Sequence, residues 1–205
     1  MKVIEHKSSD YEPRTTANAK SADLTVAFAE DYSSLGEKLT KNRAGEKYLA
    51  IPLQTPPIEA ARKLFVDCRK RGVKTLNVAG NGIYTLKNYG WTQEKLNLWM
   101  FEVLRLVHKH HPLNLVISGG QTGVDFAGGI AAEMLGLNPI MTFPKGFKQR
   151  TLTQYELIQT EGQVMLEVER QLRVLAMESQ LLPPMPPSKT RAARPSPEES
   201  DFSLS

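Results

Sequence analysis

Leu115-Val116-Ile117-Ser118-Gly119-Gly120-Gln121-Thr122-Gly123-Val124-Asp125 is the stretch on which the fold turns. The apolar run from Leu113 to Ile117 predicts a short buried strand, and three glycines fall within the next few residues. Val124, Ala127, Ile130, Ala131 and Met134 then recur on one face at helical spacing. A strand that enters a glycine-rich turn and opens a helix is the usual build of a phosphate cradle. Glycine lets the backbone approach an anion closely, and the first N–H groups of the helix point at it. Thr122 adds a hydroxyl, and Gln121 an amide that both donates and accepts. No Gly-Lys-Ser/Thr is present, so this is not a Walker loop, and the glycine spacing differs from the dinucleotide fingerprint. The competing reading is an ordinary tight strand–helix turn.

A length of 205 residues suits one α/β domain. The net charge of +4 favours a small anionic ligand and is too weak to indicate nucleic acid. Cys68 is the single cysteine, which rules out an internal disulfide and suggests a reducing, cytoplasmic setting. No apolar run reaches spanning length and no signal peptide is evident, so no membrane partner is expected.

Strand and helix alternate outward from the loop. Leu24–Ala29, Lys47–Ile51, Lys74–Ala79, Leu113–Ile117 and Pro139–Phe143 predict strands, with no strong periodic signal before Tyr11. Around Pro13 the chain reads as extended or turn, with one helical turn from Ala17 to Ala22. Helices are predicted at about 37–42, from Pro56-Pro57 to Arg71 with Gly72 as its C-cap, and from Thr92 to about His110. On the second of these, Ile58, Ala61, Leu64, Phe65 and Cys68 form the inner face. A last helix is expected over Glu156–Met177. Leu157, Val164, Leu166, Val168, Leu172 and Leu175 would pack it on the sheet or on a second subunit, so a homo-oligomer is one expectation. Residues 1–182 therefore read as a single Rossmann-like parallel sheet of about five or more strands flanked by helices. The Pro- and Ser-rich 183–205 read as a disordered tail.

Parallel sheets bind ligands outside the carboxyl ends of their strands. The loops at 30–36, 79–82, 118–123 and 143–146 all lie there, and a small phosphorylated ligand is the expected partner. Gly119, Gly120, Gln121, Thr122 and Gly123, led by Ser118, would wrap the phosphate. Arg14 offers a planar fork for a carboxylate or phosphate, with Thr15 and Asn18 beside it. Ser34, Gly36, Gly80 and Asn81 would line the same cleft, and Lys145 would neutralise ligand charge. Asp125 either favours the helix dipole or accepts a ribose hydroxyl or a proton. His108, His110 and His111 sit at a helix end with no Cys or carboxylate partner at ligand spacing, so no metal site is expected.

The octet Ser118–Asp125 resembles the phosphate loop of the molybdenum carrier family, a branch of the SLOG superfamily of Rossmann-like nucleotide-ligand proteins. Pro144-Lys145-Gly146, Arg14-Thr15-x-x-Asn18, Ser21-x-Asp23 and Asn77-Val78-Ala79-Gly80 resemble further motifs of that family. Their order differs. In the family the glycine loop comes first, whereas here it follows the other segments except Pro144-Lys145-Gly146, which resembles a circular permutation. Ser34-Leu35-Gly36-Glu37 also departs from the Gly-Thr pair that relatives often carry there. The resemblance implies binding of a nucleotide or nucleotide-derived ligand for sensing or sequestration. Its alternatives are an N-glycosidic bond hydrolase, with Asp125 or Glu37 as the catalytic acid or base, and a carrier of a molybdopterin-type ligand. The hydrolase branch carries its glutamate in a Gly-Gly-x-Gly-Thr-x-x-Glu pattern that this chain lacks.

Overall fold

The computed structural model describes residues 1–182, and the expected tail at 183–205 lies outside the described residues. Six strands form one parallel sheet: β1 (Lys2–Glu5), β2 (Leu24–Ala29), β3 (Tyr48–Pro52), β4 (Thr75–Gly80), β5 (Leu115–Ser118) and β6 (Ile140–Phe143). Their order in space is β1-β6-β5-β4-β2-β3. Seven helices flank the sheet: α1 (Tyr11–Ser21), α2 (Leu35–Ala44), α3 (Pro57–Arg71), α4 (Ile83–Leu86), α5 (Gln93–His110), α6 (Val124–Met134) and α7 (Glu161–Ser179). Gln149–Arg150 (β7) and Glu156–Leu157 (β8) add a small antiparallel hairpin. The expected Rossmann-like α/β architecture is thus the one observed.

The two faces of the sheet differ in side-chain size. In β2, Leu24, Val26 and Phe28 alternate with Thr25, Ala27 and Ala29, and all are buried. In β4, Leu76 and Val78 alternate with Asn77 and Ala79. The large residues join the main core with α3, α5 and α6. The small and polar ones lie under α1 and α2, where Asn77 Nδ2 donates to Thr25 Oγ1 at 3.2 Å. Small side chains on that face leave a space between sheet and helices, and the candidate site occupies it. The path of the chain puts the space at a favourable place. From β2 it moves outward to β3, then doubles back past β2 to β4 and continues through β5 to β6. The direction reverses between β2 and β4, so the crevice at their carboxyl ends is a topological switch point.

Local signals set the helix ends. Pro57 opens α3, and Gly72, at φ +65°, closes it by donating its N–H to the Cys68 carbonyl. Thr92 caps α5 by accepting from Lys95 N–H. Thr160 and Gln163 form a reciprocal capping box at the start of α7. That box places the helix start at Glu161, later than expected, and leaves Gly162 in a first turn that tolerates it. Leu157 belongs to β8, and Leu157, Leu166 and Ile58 are exposed, contrary to their expected inward faces. Val164, Val168 and Leu175 do bury, against Phe126, Ile130, Met141 and Phe143.

Two elements depart further from expectation. Lys2–Glu5 forms edge strand β1, paired with β6; it is short and half-buried, too brief for an alternating pattern to register. Helix α1 begins at Tyr11 rather than Ala17. Pro13 sits in its first turn, where the backbone N–H has no intrahelical acceptor to lose. Among the described residues, no helix is long and apolar enough to cross a membrane.

Helix α6 lies close to the sheet because Gly128 and Gly129 face it. A Cβ at Gly128 would come within 2.6 Å of a Val78 methyl, and one at Gly129 within 2.2 Å of Met141 sulfur. Gly128→Val is therefore expected to lower stability by about 2 kcal/mol, measured by urea denaturation. An unchanged midpoint would show that α6 shifts freely.

Candidate functional site

Helix α1 supplies the first wall. Tyr11, Arg14, Thr15 and Asn18 recur at helical spacing and all line a cavity of about 180 Å³ under α1 and α2. This inner stripe is polar, whereas a helix packed on a sheet usually turns apolar side chains inward. Arg14 Nη1 donates to Asp125 Oδ2 at 3.0 Å, and both side chains are buried. Asn18 Nδ2 donates to the Ser118 carbonyl at 3.0 Å. Two residues from the helix that precedes β2 thus grip the loop that follows β5.

Gly119 makes this contact possible. A Cβ there would lie 1.4 Å from Arg14 Nη1 and 2.0 Å from Asp125 Oδ2. The other glycines of the loop have different tasks. Gly120, at φ +68°, presses on the Phe143 ring, and Gly123, at φ +104°, on the backbone of Asn81–Ile83. Side chains lock the rest. Gln93 accepts from Gly123 N–H at 2.7 Å and donates to Gly123 O at 3.0 Å. Gln149 Nε2 donates to Gly120 O at 2.6 Å. Gln121 accepts from Arg150 N–H at 3.2 Å, and both Gln121 and Thr122 donate to the Arg150 carbonyl. The loop is held in place, yet the N–H groups of Gly120, Gln121 and Thr122 have no acceptor among the described residues.

The candidate residues fall into three groups. Arg14, Thr15, Asn18, Gly36, Glu37, Gly80, Gly119, Gln121 and Asp125 all border the cavity. Gly120, Thr122 and Gly123 shape the loop without bordering it, and Ser118 is buried with its Oγ unpartnered. The remainder have structural places. Ser34 caps α2 by accepting from Glu37 N–H. Asn81 is buried, with Oδ1 accepting from Glu30 and Asp31 N–H at 2.9 Å and Nδ2 donating to Asp31 O, so it organises the loop after β2. Lys145 is exposed and away from the cavity. Beside Arg14, the basic residue there is Arg150, whose guanidinium lies 5.0 Å from the Tyr11 ring centroid and 6.0 Å from that of Tyr84, with Nε 3.5 Å from Glu156 Oε1. Tyr11, Tyr84 and Arg150 were not singled out as site residues in the sequence, and Asn77 figured only within the Asn77–Gly80 motif. For Tyr11 the signal was its place, a turn ahead of Arg14, on the polar stripe. His108 accepts from Leu113 N–H, and His111 donates to the Val73 carbonyl.

The electrostatics of the site rest on two carboxyls. Glu37 is 4% exposed, and burial, followed by repulsion from Asp125 and Asp31, raises its pKa from 4.5 to about 8. Its Oε2 has no hydrogen-bond partner among the described residues. Glu37 is therefore a neutral acid, and a donor, at pH 7. Burial also raises the Asp125 pKa, opposed by Arg14 and by a Gly80 N–H.

The unfolded chain ionises Glu37 near pH 4.5, whereas the folded chain keeps it protonated to about pH 8. Stability is thus full below 4.5 and falls as pH rises through that window, by on the order of a few kcal/mol. Urea denaturation across pH 5–8 measures this decline, and Glu37→Gln, which matches the neutral acid in shape, should flatten it. An equal slope in both proteins would show that Glu37 ionises normally. Asp125→Ala leaves Arg14 buried without its partner and should cost about 3–5 kcal/mol in the same assay.

Compared with family models, with curated proteins and with solved structures, the chain matches none.

Proposed function

We propose that the cavity under α1 and α2 binds a small phosphorylated molecule, of the nucleotide or nucleotide-derived class, held by its oxyanion. One observation carries this reading. Tyr11 Oη, Arg14 Nε and Glu37 Oε2 are buried polar atoms without a hydrogen-bond partner among the described residues, and all three side chains border one cavity. Buried polar groups are nearly always satisfied, so such a cluster points to a missing acceptor. With Glu37 protonated, all three present hydrogens. The unpaired amides of the Gly120–Thr122 turn add more donors, and Arg150 adds a charge. An acceptor-rich anion is the partner such a site fits. Gln93 and Gln149 hold the loop at Gly123 and Gly120. The mildly basic chain and its single buried thiol suit a cytoplasmic role in sensing or sequestering the ligand. A molybdopterin-type ligand would have to be held through its phosphate, because the cavity lining contains no thiol.

A second reading is favoured by Glu37 itself. A carboxylic acid that stays protonated at pH 7 beside a second carboxyl is a candidate general acid. In a nucleotide N-glycosidic bond hydrolase, Glu37 would protonate the departing base as the C1′–N bond breaks. Water would add at C1′ and give its proton back to the Glu37 carboxylate, and Asp125 would stabilise the positive ribosyl centre.

Isothermal titration calorimetry with AMP and with inorganic phosphate tests the first reading. Binding should occur, and Arg150→Gln, on a half-exposed side chain, should weaken it by about 10-fold or more. With AMP, whose phosphate is already fully ionised above about pH 7.5, the ligand charge is constant up to about pH 9 while Glu37 ionises, so AMP affinity should fall in wild type and hold steady in Glu37→Gln. No binding of either probe would refute the proposal. Release of free adenine from AMP, lost in Glu37→Gln, would establish the hydrolase; intact AMP after long incubation would dismiss it for that nucleotide.

A further inference from the structure

A second cavity, of about 580 Å³, lies on the opposite side of the glycine loop. Ile83, Trp91, Phe126 and Leu152 give it apolar walls, and the amides of Gln93 and Gln149 reach its lining. Its volume falls in the range of small-molecule sites. Its charged groups are paired within the lining: Arg170 with Glu167 and Glu94, while Lys87 Nζ donates to the Leu152 carbonyl at 2.8 Å. With the amides of Gln93 and Gln149 spent on Gly123 and Gly120, what is left for an occupant is the apolar surface.

The two cavities share a wall. Gln121 borders the first and Thr122 the second. Arg150 borders the first, while its neighbours Gln149 and Thr151 border the second. Strand alternation explains the latter division, since successive side chains of an extended segment point to opposite sides. The wall is thin and internally bonded through Gln121, Thr122 and the Arg150 backbone. Gln93 and Gln149, which pin the loop at Gly123 and Gly120, have their side chains on the lining of the second cavity.

We infer that the second cavity is an effector site for an uncharged, flat aromatic or heteroaromatic molecule of about two rings, and that its occupant tightens anion binding in the first cavity. An occupant that fits the wall as it stands stabilises the arrangement that aims Arg150 and the loop amides at the anion. Linkage makes the effect reciprocal, so anion binding must tighten the effector site by the same factor. The coupling rests on the anion-site reading above, whereas the site itself does not.

Quinoline, neutral at pH 7.5, serves as the probe. NMR titration should shift the Trp91 indole signal saturably and the Trp99 signal less. Calorimetry should give one quinoline per chain, with phosphate affinity raised about fivefold at saturating quinoline. Leu152→Trp, a surface change that fills the mouth of the second cavity, should weaken quinoline at least tenfold and leave phosphate affinity in the absence of quinoline unchanged. Should that variant misfold, Leu152→Phe offers a milder block with the same expected direction. Absent quinoline binding, or equal binding to a folded blocking variant, overturns the site. Quinoline binding with unchanged phosphate affinity overturns the coupling. If phosphate does not bind at all, the anion-site reading and the coupling fall together, and the quinoline measurements still decide the second site.

Discussion

The buried contact between Arg14 and Asp125 ties the molecule together at its site. It joins the helix before β2 to the helix after β5, and it passes through the space a side chain at Gly119 would fill. A buried ion pair adds little net stability over an apolar substitute, because desolvating two charges offsets most of their attraction. Its effect here is geometric. It fixes the height of α1 above the sheet, points one edge of a guanidinium into the cavity, and leaves Arg14 Nε without a partner. Asn18, one turn further along, anchors the same helix to the Ser118 carbonyl. Between them these contacts decide how far α1 stands off the small-residue face of β2 and β4.

Around this pair the charges are arranged unevenly. Asp125 spends its charge on Arg14, while Glu37, buried and repelled by two other carboxyls, gives up its own. Arg150 then remains as the cation at the cavity rim, steadied by the faces of Tyr11 and Tyr84. The lining holds two carboxyls and two guanidiniums, and with Glu37 neutral its balance at pH 7 is positive, set against Glu156, which pairs with Arg150 from outside the lining.

Most of the sheet was legible from the chain because its strands carry strong local signals: apolar runs bounded by Gly, Pro or a cap. Helix α1 was not, and the reason is the site. Hydrophobic periodicity finds helices that bury apolar stripes, and the stripe of α1 is Tyr11, Arg14, Thr15 and Asn18. The glycine loop was located correctly, but spacing could not distinguish Gly119, which makes room for an ion pair, from Gly120 and Gly123, which accommodate a ring and a backbone. Arg14 and Asn18 were legible as residue types. Their meeting with residues 118–125 is a product of topology. Lys145 and Arg150 show the converse: both follow β6, and only the pairing of β7 with β8 and its bonds to Gln121 and Thr122 bring Arg150 to the cavity.

Strand β1 bears on how the protein is made. Its one neighbour in the sheet is β6, from the other end of the strand sequence. During synthesis β1 emerges early and then waits, unpaired, until Ile140–Phe143 follows. Such distant pairings are slow to form because a long loop must close before any contact offsets its entropy. Helix α1 has its anchors, Ser118 and Asp125, before β6 appears, but Arg150, which closes the cavity rim, follows β6. Completion of the cavity is thus a late event in the folding of the chain, and an intermediate lacking β6 holds only the four paired strands β5-β4-β2-β3 with the cavity open.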